Sequence, residues 1–318
     1  MRTILSLPTL TKDQQEEISR AAAGCRILFD RKSLTEEDYR EAEVVLGWTS
    51  QVQNALEKGD TKIRWIQSTS SGVDYFPMEL LKKRGVVLTD ASGVHAFSVS
   101  ESAIAMMLAF ARGIAASVRN QAGKIWDRAM PTRELGGATL TIAGAGHIGR
   151  RLAHLAKAFD MRVIAVTRSG NPLPEADETY DASRLDEAIS QADYVVNILP
   201  LTGETHYLFD EKRFSRMKNT AYFINVGRGP TVRTEDLVKA LESGQIAGAG
   251  LDVFEEEPLP PEHPLWAMNN VILTPHNAGG ITYENRKRLV KLFTANLELY
   301  LSGQAESMRN VVDYEKQY

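Results

Sequence analysis

Three observations in the sequence predict an α/β protein built on parallel sheets. Short β-prone runs alternate with helical patterns along the whole chain. One run, Thr139–Ala143, leads straight into Gly144, Gly146 and Gly149, spaced G-x-G-x-x-G, after which Ile148, Leu152, Leu155 and Phe159 recur at helical spacing. This strand–turn–helix context is where the glycine pattern signals dinucleotide binding, and elsewhere it marks only a turn, as Gly248-Ala249-Gly250 shows. Because the pattern opens near position 144, another unit folds ahead of it, and 318 residues leave room for two domains, each with its own core.

Taken in order, strands are expected at 3–7, 26–29, 44–48, 65–68 and 86–89, with helical patterns such as 12–22 and 51–57 between them. The segment 97–118 is apolar and alanine-rich, with Met106, Met107, Leu108 and Phe110 nearly consecutive, so a helix here is buried from most sides. After the glycine loop, strands are expected at 162–166, 194–198, 221–225, 249–253 and 271–274. Residues 255–264, rich in Pro and Glu, read as a solvated loop. The stretch Tyr283–Leu301 reads as one long helix with Leu289, Leu292, Phe293, Leu297 and Leu301 on one face, able to return the chain to the first domain.

Composition narrows the function classes. Hydrophobic content of 43% and charged content of 25% are those of an ordinary globular protein. A net charge of −4 carries no basic footprint, so nucleic acid is not an expected partner. The single Cys25 excludes an intramolecular disulfide and suits a reducing cytoplasm. The N-terminal segment turns acidic too early for a signal peptide, and the longest apolar run, 103–111, is too short to span a bilayer. No Cys-x-x-Cys or His-Glu-x-x-His occurs, so no protein-bound metal is expected.

The glycines have separate tasks: Gly144 permits the tight turn, Gly146 lets a pyrophosphate approach the backbone, and Gly149 lets helix and strand pack closely. The helix N-terminus then offers unpaired N–H groups to the anion. An acidic residue about 20 positions on usually holds the ribose 2′-OH. Here the strand ends in Thr167-Arg168-Ser169, with no carboxylate. Arg168 and the two hydroxyls suit the 2′-phosphate of NADP; otherwise Arg168 is an exposed loop arginine. Three further segments set an ionisable group just past a strand: Arg228 in INVGRG, Asp252 and Glu257 in LDVFEEEP, and His276 in LTPHNAGG. Singly, each reads as a surface charge or a turn residue. Together, a cation, a carboxylate and a histidine suit reduction of a 2-oxo acid, with one group for the substrate carboxylate, a proton donor, and a group to tune that donor.

With these segments in view, the chain resembles the D-isomer-specific 2-hydroxyacid dehydrogenase family over nearly its whole length. Six motifs in order carry the resemblance: Ser71-Gly72-Val73-Asp74, Gly144-Ala145-Gly146-His147-Ile148-Gly149, Leu199-Pro200-Leu201-Thr202, Asn225-Val226-Gly227-Arg228-Gly229, Asp252-Val253-Phe254 with Glu257-Pro258, and Pro275-His276-Asn277-Ala278-Gly279. The resemblance implies two Rossmann-like or flavodoxin-like domains with the active site in the cleft between them. The discontinuous substrate domain would comprise 1–100 plus 283–318, the dinucleotide-binding domain 101–282, with hinges near Ser100 and Thr282. Arg228, Glu257 and His276 would be catalytic: Arg228 holds the substrate carboxylate, His276 exchanges a proton with the substrate oxygen, and Glu257 hydrogen-bonds His276 and favours its protonated form. Ser71, Gly72 and Val73 would bind substrate alongside Arg228 and His276, with the N–H groups of Gly72 and Val73 on its carboxylate. Cofactor, NADP ahead of NAD, would meet Gly144, Gly146, His147, Ile148, Gly149, Thr167, Arg168, Ser169, Pro200, Thr205, Val226, Gly227 and Asp252, the last at the nicotinamide carboxamide. The segment 97–118 would form the interface of a homodimer.

The chain departs from the family pattern in places. Gly227 stands where a small hydroxylated residue or alanine is common, a change expected to matter little. Thr167 stands where NAD-preferring members place their acid. The first hundred residues match only at 71–74 and in the pattern around 91–101, so substrate identity is weakly constrained: glyoxylate or hydroxypyruvate leads, 3-phosphohydroxypyruvate follows. A dinucleotide-sensing co-repressor is the non-enzymatic alternative, disfavoured because a sensor needs only the nucleotide site. Tyr283 and Lys287 match the Tyr-x-x-x-Lys of short-chain dehydrogenases by chance, and Tyr283 is expected to pack at the start of the last helix.

Overall fold

A computed structural model describes residues 1–315, which divide into two compact units: Met1–His95 with the segment from Ile281 onward, and Ala96–Gly280. The first unit runs β1 (Thr3–Ser6), α1 (Lys12–Ala21), β2 (Arg26–Leu28), α2 (Glu36–Glu41), β3 (Val44–Leu46), α3 (Ser50–Lys58), β4 (Trp65–Gln67), α4 (Met78–Arg84) and β5 (Val87–Thr89). Its five strands are all parallel in the order β2-β1-β3-β4-β5, the flavodoxin-like arrangement. Ile4, Leu5, Val44, Val45, Leu46, Trp65 and Ile66 are fully buried, as strands covered by helices on both faces require.

The second unit contains α5 (Ala96–Ala111), α6 (Ile114–Ala122), β6 (Thr139–Ala143), α7 (His147–Ala158), β7 (Arg162–Thr167), β8 (Glu178–Asp181), α8 (Leu185–Gln191), β9 (Tyr194–Asn197), α9 (Glu211–Phe214), β10 (Tyr222–Asn225), α10 (Thr234–Glu242), β11 (Gly248–Leu251) and β12 (Val271–Leu273). Its seven parallel strands lie in the order β12-β11-β10-β9-β6-β7-β8. Chain order reverses between β6 and β9, so this sheet has the topological switch point at which doubly wound sheets bind ligands, and the glycine loop sits on it.

The chain closes with α11 (Tyr283–Leu301) in the first unit. Thr282 caps this helix, its hydroxyl accepting from the N–H of Asn285 at 3.0 Å. Leu289, Val290, Phe293 and Leu297 are buried in the first unit's core, while Leu292 and Leu301 are only partly covered. Phe293 lies 5.3 Å from the Trp65 ring, and Asn296 donates to Gln67 Oε1 and to the carbonyl of Arg309. The expected face therefore turns by one position toward Val290.

Two expectations are corrected, and one strand is added to them. Segment 97–118 is not one helix: Gly113 at φ 65° ends α5, and α6 leaves at a bend of 68°. Only α5 is buried as expected, whereas α6 has no buried residue and exposes Ile114 and Val118. β8 was not foreseen, because ETYD buries only Tyr180 and shows no apolar alternation. Tyr283 opens α11 but stays 53% exposed, so it does not pack there. The stretch 255–264 is the exposed loop expected, anchored at two points: Glu255 accepts from the N–H of Thr234, and the partly buried Leu259 packs against the core. Among the described residues, no single helix is long and apolar enough to cross a membrane.

Candidate active site

The site is assembled at the carboxyl ends of the second unit's strands. After β6, Gly144 takes φ 94°, closed to ordinary side chains, and a Cβ there would come within 3.0 Å of the Ile198 backbone. Gly149 brings α7 against β6, since its Cβ would meet Gly144 O and Ile142 Cγ2 at 3.1 Å each. Gly146, by contrast, faces open space at the exposed start of α7, next to His147. A tight turn, close packing and an uncovered helix N-terminus are what a pyrophosphate needs, so the loop fits a dinucleotide. Pro200 and Thr205 lie in a turn after β9 closed by the Thr205 hydroxyl, which receives the Thr202 N–H at 2.8 Å and donates to the carbonyl of Pro200.

Past β7, Thr167 Oγ1 accepts from the N–H of Gly170 at 3.0 Å, and Ser169 pairs with Asp181 in an isolated bridge. Arg168 stands in solvent with Glu204 Oε1 3.8 Å from its Nη2. Thus Thr167-Arg168-Ser169 contains no acid, yet an acid faces it from the turn after β9.

His276 and Glu257 meet as the motif spacing implied. His276 Nδ1 lies 2.7 Å from Glu257 Oε2, and Glu257 Oε1 accepts from the N–H of Phe254 at 2.9 Å. With one carboxylate oxygen held by the main chain, the other is aimed at Nδ1 of the imidazole, which orients the ring and leaves Nε2 for other chemistry. About half of the His276 side-chain surface is open, enough to meet a small substrate. His276 itself sits at φ 48°, an uncommon conformation for a residue with a side chain, and Asp252 over-determines it. The Asp252 carboxylate, 2% exposed, receives the Thr274 hydroxyl at 2.6 Å and the N–H groups of Asn277 and Ala278, while its own carbonyl takes the His276 N–H at 2.8 Å. Folding this turn is a task for Asp252 that the motif alone did not reveal.

Arg228 follows β10, with Nη1 3.1 Å from the carbonyl of Gly227. Two glycines flank it and both are sterically required. A Cβ on Gly229 would sit 1.8 Å from Phe254 O, so the arginine turn lies directly against the segment that leads to Glu257. A Cβ on Gly227 would sit 2.7 Å from Leu199 O. The expectation that glycine at 227 matters little is corrected: here it lets the turns after β9 and β10 touch. Val226 beside it is buried. Arg228, Glu257 and His276 are thus linked through Gly229 and Phe254 in one unit. Ser71, Gly72 and Val73 lie in the other, after β4, where Ser71 Oγ donates to the carbonyl of Ala91 at 3.1 Å and Ser70 Oγ to that of Gly72 at 2.8 Å.

Residues 104–278 match the model of the NAD binding domain of D-isomer specific 2-hydroxyacid dehydrogenases, more than half of the chain. The chain belongs to the D-isomer specific 2-hydroxyacid dehydrogenase family. Membership makes it an NAD(P)-dependent oxidoreductase of the 2-hydroxyacid class. Glyoxylate/hydroxypyruvate reductase B of Escherichia fergusonii is 38% identical over 278 residues, covering 85% of each chain. Among solved structures, a family protein of Aeromonas salmonicida aligns over 98% of this chain and 99% of that one, at 34% identity and a TM-score of 0.87. The NADPH-dependent glyoxylate/hydroxypyruvate reductase of Sinorhizobium meliloti, crystallised with NADP and sulfate, is 27% identical over the full length of both chains, with a TM-score of 0.81.

Proposed function

We propose that this dehydrogenase reduces a small 2-oxo acid of the glyoxylate or hydroxypyruvate type to the D-2-hydroxy acid, with NADPH preferred over NADH. The observation that carries the reading is the His276–Glu257 pair at 2.7 Å, with Glu257 held in turn by the Phe254 N–H. When bound, the nicotinamide would supply the hydride for the carbonyl carbon. His276 gives the proton on Nε2 to the carbonyl oxygen, and Glu257 keeps the second proton on Nδ1 throughout. The Arg228 guanidinium holds the substrate carboxylate through its fork of donors and polarises the adjacent carbonyl. Asp252 Oδ2, which among the described residues accepts only the Ala278 N–H, would hold the nicotinamide carboxamide. Relatives named for glyoxylate and hydroxypyruvate support the substrate class. The test is a panel of glyoxylate, hydroxypyruvate, 3-phosphohydroxypyruvate and longer 2-oxo acids, each with NADPH and NADH. Consumption of NADPH is expected with the first two. Cofactor binding without turnover on any 2-oxo acid contradicts the reading.

Cofactor choice rests on Arg168. A charge-assisted pair with a 2′-phosphate contributes on the order of 1.5–3 kcal/mol, less when exposed, and Glu204 opposes the phosphate here. About 1.4 kcal/mol, or tenfold, is the preference expected for NADPH. Arg168→Ala is expected to raise KM for NADPH and leave that for NADH nearly unchanged. Equal losses with both cofactors would remove Arg168 from the choice.

The proposal extends to a cytoplasmic homodimer that pairs through 97–118, where α6 leaves Ile114 and Val118 at least half exposed. Light scattering at micromolar concentration is expected to give twice the chain mass; the mass of one chain contradicts the pairing.

A further inference from the structure

Three polar side chains are cut off from solvent: Asn197 and Asn225, which end β9 and β10, and Thr231 in the turn after β10, with exposures of 0%, 1% and 0%. Buried polar groups are costly unless paired, and these pair with one another and with two turns of the site. Asn197 Nδ2 donates to Asn225 Oδ1 at 3.0 Å and to Thr231 Oγ1 at 2.7 Å, which uses both of its protons. Asn197 Oδ1 accepts the Leu199 N–H at 3.2 Å, where the turn carrying Pro200 and Thr205 begins. Asn225 Oδ1 accepts the Gly227 N–H at 3.1 Å, and its Nδ2 donates to the carbonyl of Arg228 at 3.2 Å. The Thr231 hydroxyl, having accepted from Asn197, donates to that same carbonyl at 2.6 Å.

The peptide unit before Gly227 and the one after Arg228 are therefore held by side chains whose own hydrogen bonds lead back to Leu199. Gly227 adds the steric half of this arrangement, since only a residue without Cβ allows the backbone to close on Leu199 O. A buried network of paired groups of this kind rigidifies what it touches. We infer that Thr231 and Asn197 are positioning residues, which fix the Arg228 guanidinium relative to the cofactor-side turn at 199–205. The inference rests on the assignment of Arg228 to the substrate carboxylate. It adds that the arginine's placement is set by a hydroxyl and an amide that touch neither substrate nor cofactor.

The test is kinetic and uses the full chain. Thr231→Val keeps the shape and removes the hydroxyl; misplacing a binding group by about 1 Å costs up to about a hundredfold. Thr231→Val is accordingly expected to lower kcat/KM for the 2-oxo acid by about ten- to a hundredfold, with NADPH affinity changed by less than about threefold. Thr231→Ser, which retains the hydroxyl, is expected to recover most of that loss. On an Arg228→Ala background the Thr231→Val change is expected to add less than about twofold, because a residue that acts through Arg228 has nothing left to position. Asn197→Asp, isosteric but without the two donors, serves as the second variant should Thr231→Val fail to fold, and the same losses are expected of it. Wild-type kinetics in a folded Thr231→Val, or an undiminished further loss on the Arg228→Ala background, overturns the inference while Arg228 keeps its role. Full activity in Arg228→Ala alone overturns the role of Arg228 and the inference together.

Discussion

His276→Asn is expected to retain cofactor binding and to lose kcat by about 10²–10⁴, the usual worth of a positioned proton donor. The reason lies in the pair's geometry. Glu257 is held through Oε1 by the Phe254 N–H and presents Oε2 to His276 Nδ1 at 2.7 Å, so the imidazole is oriented before substrate arrives. Asparagine fits the same turn, and asparagine tolerates the φ of 48° found at this position, so the fold stays intact and the change isolates proton transfer. Turnover, nicotinamide binding and thermal melting measured together separate the outcomes, and wild-type turnover would remove His276 from the mechanism. Glu257→Gln extends the test, because the amide no longer presents a carboxylate to Nδ1 and the ring loses its fixed orientation. A fall in kcat with cofactor binding retained is expected, and wild-type turnover would make Glu257 a loop glutamate.

Gly229→Ala is the second large expected effect, and it arises from the backbone. The added methyl would lie 1.8 Å from Phe254 O and 2.0 Å from Phe254 C, far inside contact distance, and no flexible side chain is there to yield. The turn bearing Arg228 must separate from the segment leading to Glu257, which pulls apart the carboxylate-binding and proton-donating groups. Overpacking of this kind costs about 1–3 kcal/mol of stability, and the displaced geometry at least about a hundredfold in kcat/KM. Gly136→Ala is the control, because its Cβ would meet Phe159 O at an ordinary 3.6 Å, and little change is expected. A Gly229→Ala protein with wild-type melting and turnover would show that the two segments need not touch.

Much of this architecture is legible in the sequence where local signals are strong. α11 begins and ends where its pattern predicts because Thr282 caps it and Gly303, at φ 78°, follows it. Apart from β8, the strands of both sheets are apolar runs bounded by turn residues, and the structure trims most of them by one or two residues. The failures have local causes too. Apolar composition continues across Gly113, which hides the break between α5 and α6. β8 pairs only with β7 at the sheet edge and needs little apolar surface.

The site was legible residue by residue but not in its connections. His276, Glu257 and Arg228 stand in recognisable motifs. Asn197, Asn225 and Thr231 are separated by 28 and 34 positions in their pairings, and only the register of β9 beside β10 brings them together. Glu204 opposite Arg168 is hidden in the same way, as is the collision that makes Gly227 obligatory. Strand-end polar residues say nothing of their partners until the sheet order is known.

The most direct measurement is the configuration of the product formed from hydroxypyruvate and NADPH, read by chiral chromatography. Proton donation from His276 with the carboxylate on Arg228, in a member of this family, predicts D-glycerate in stoichiometric amount with the NADPH consumed. L-glycerate, a racemate, or no product from a protein that binds NADPH would contradict it.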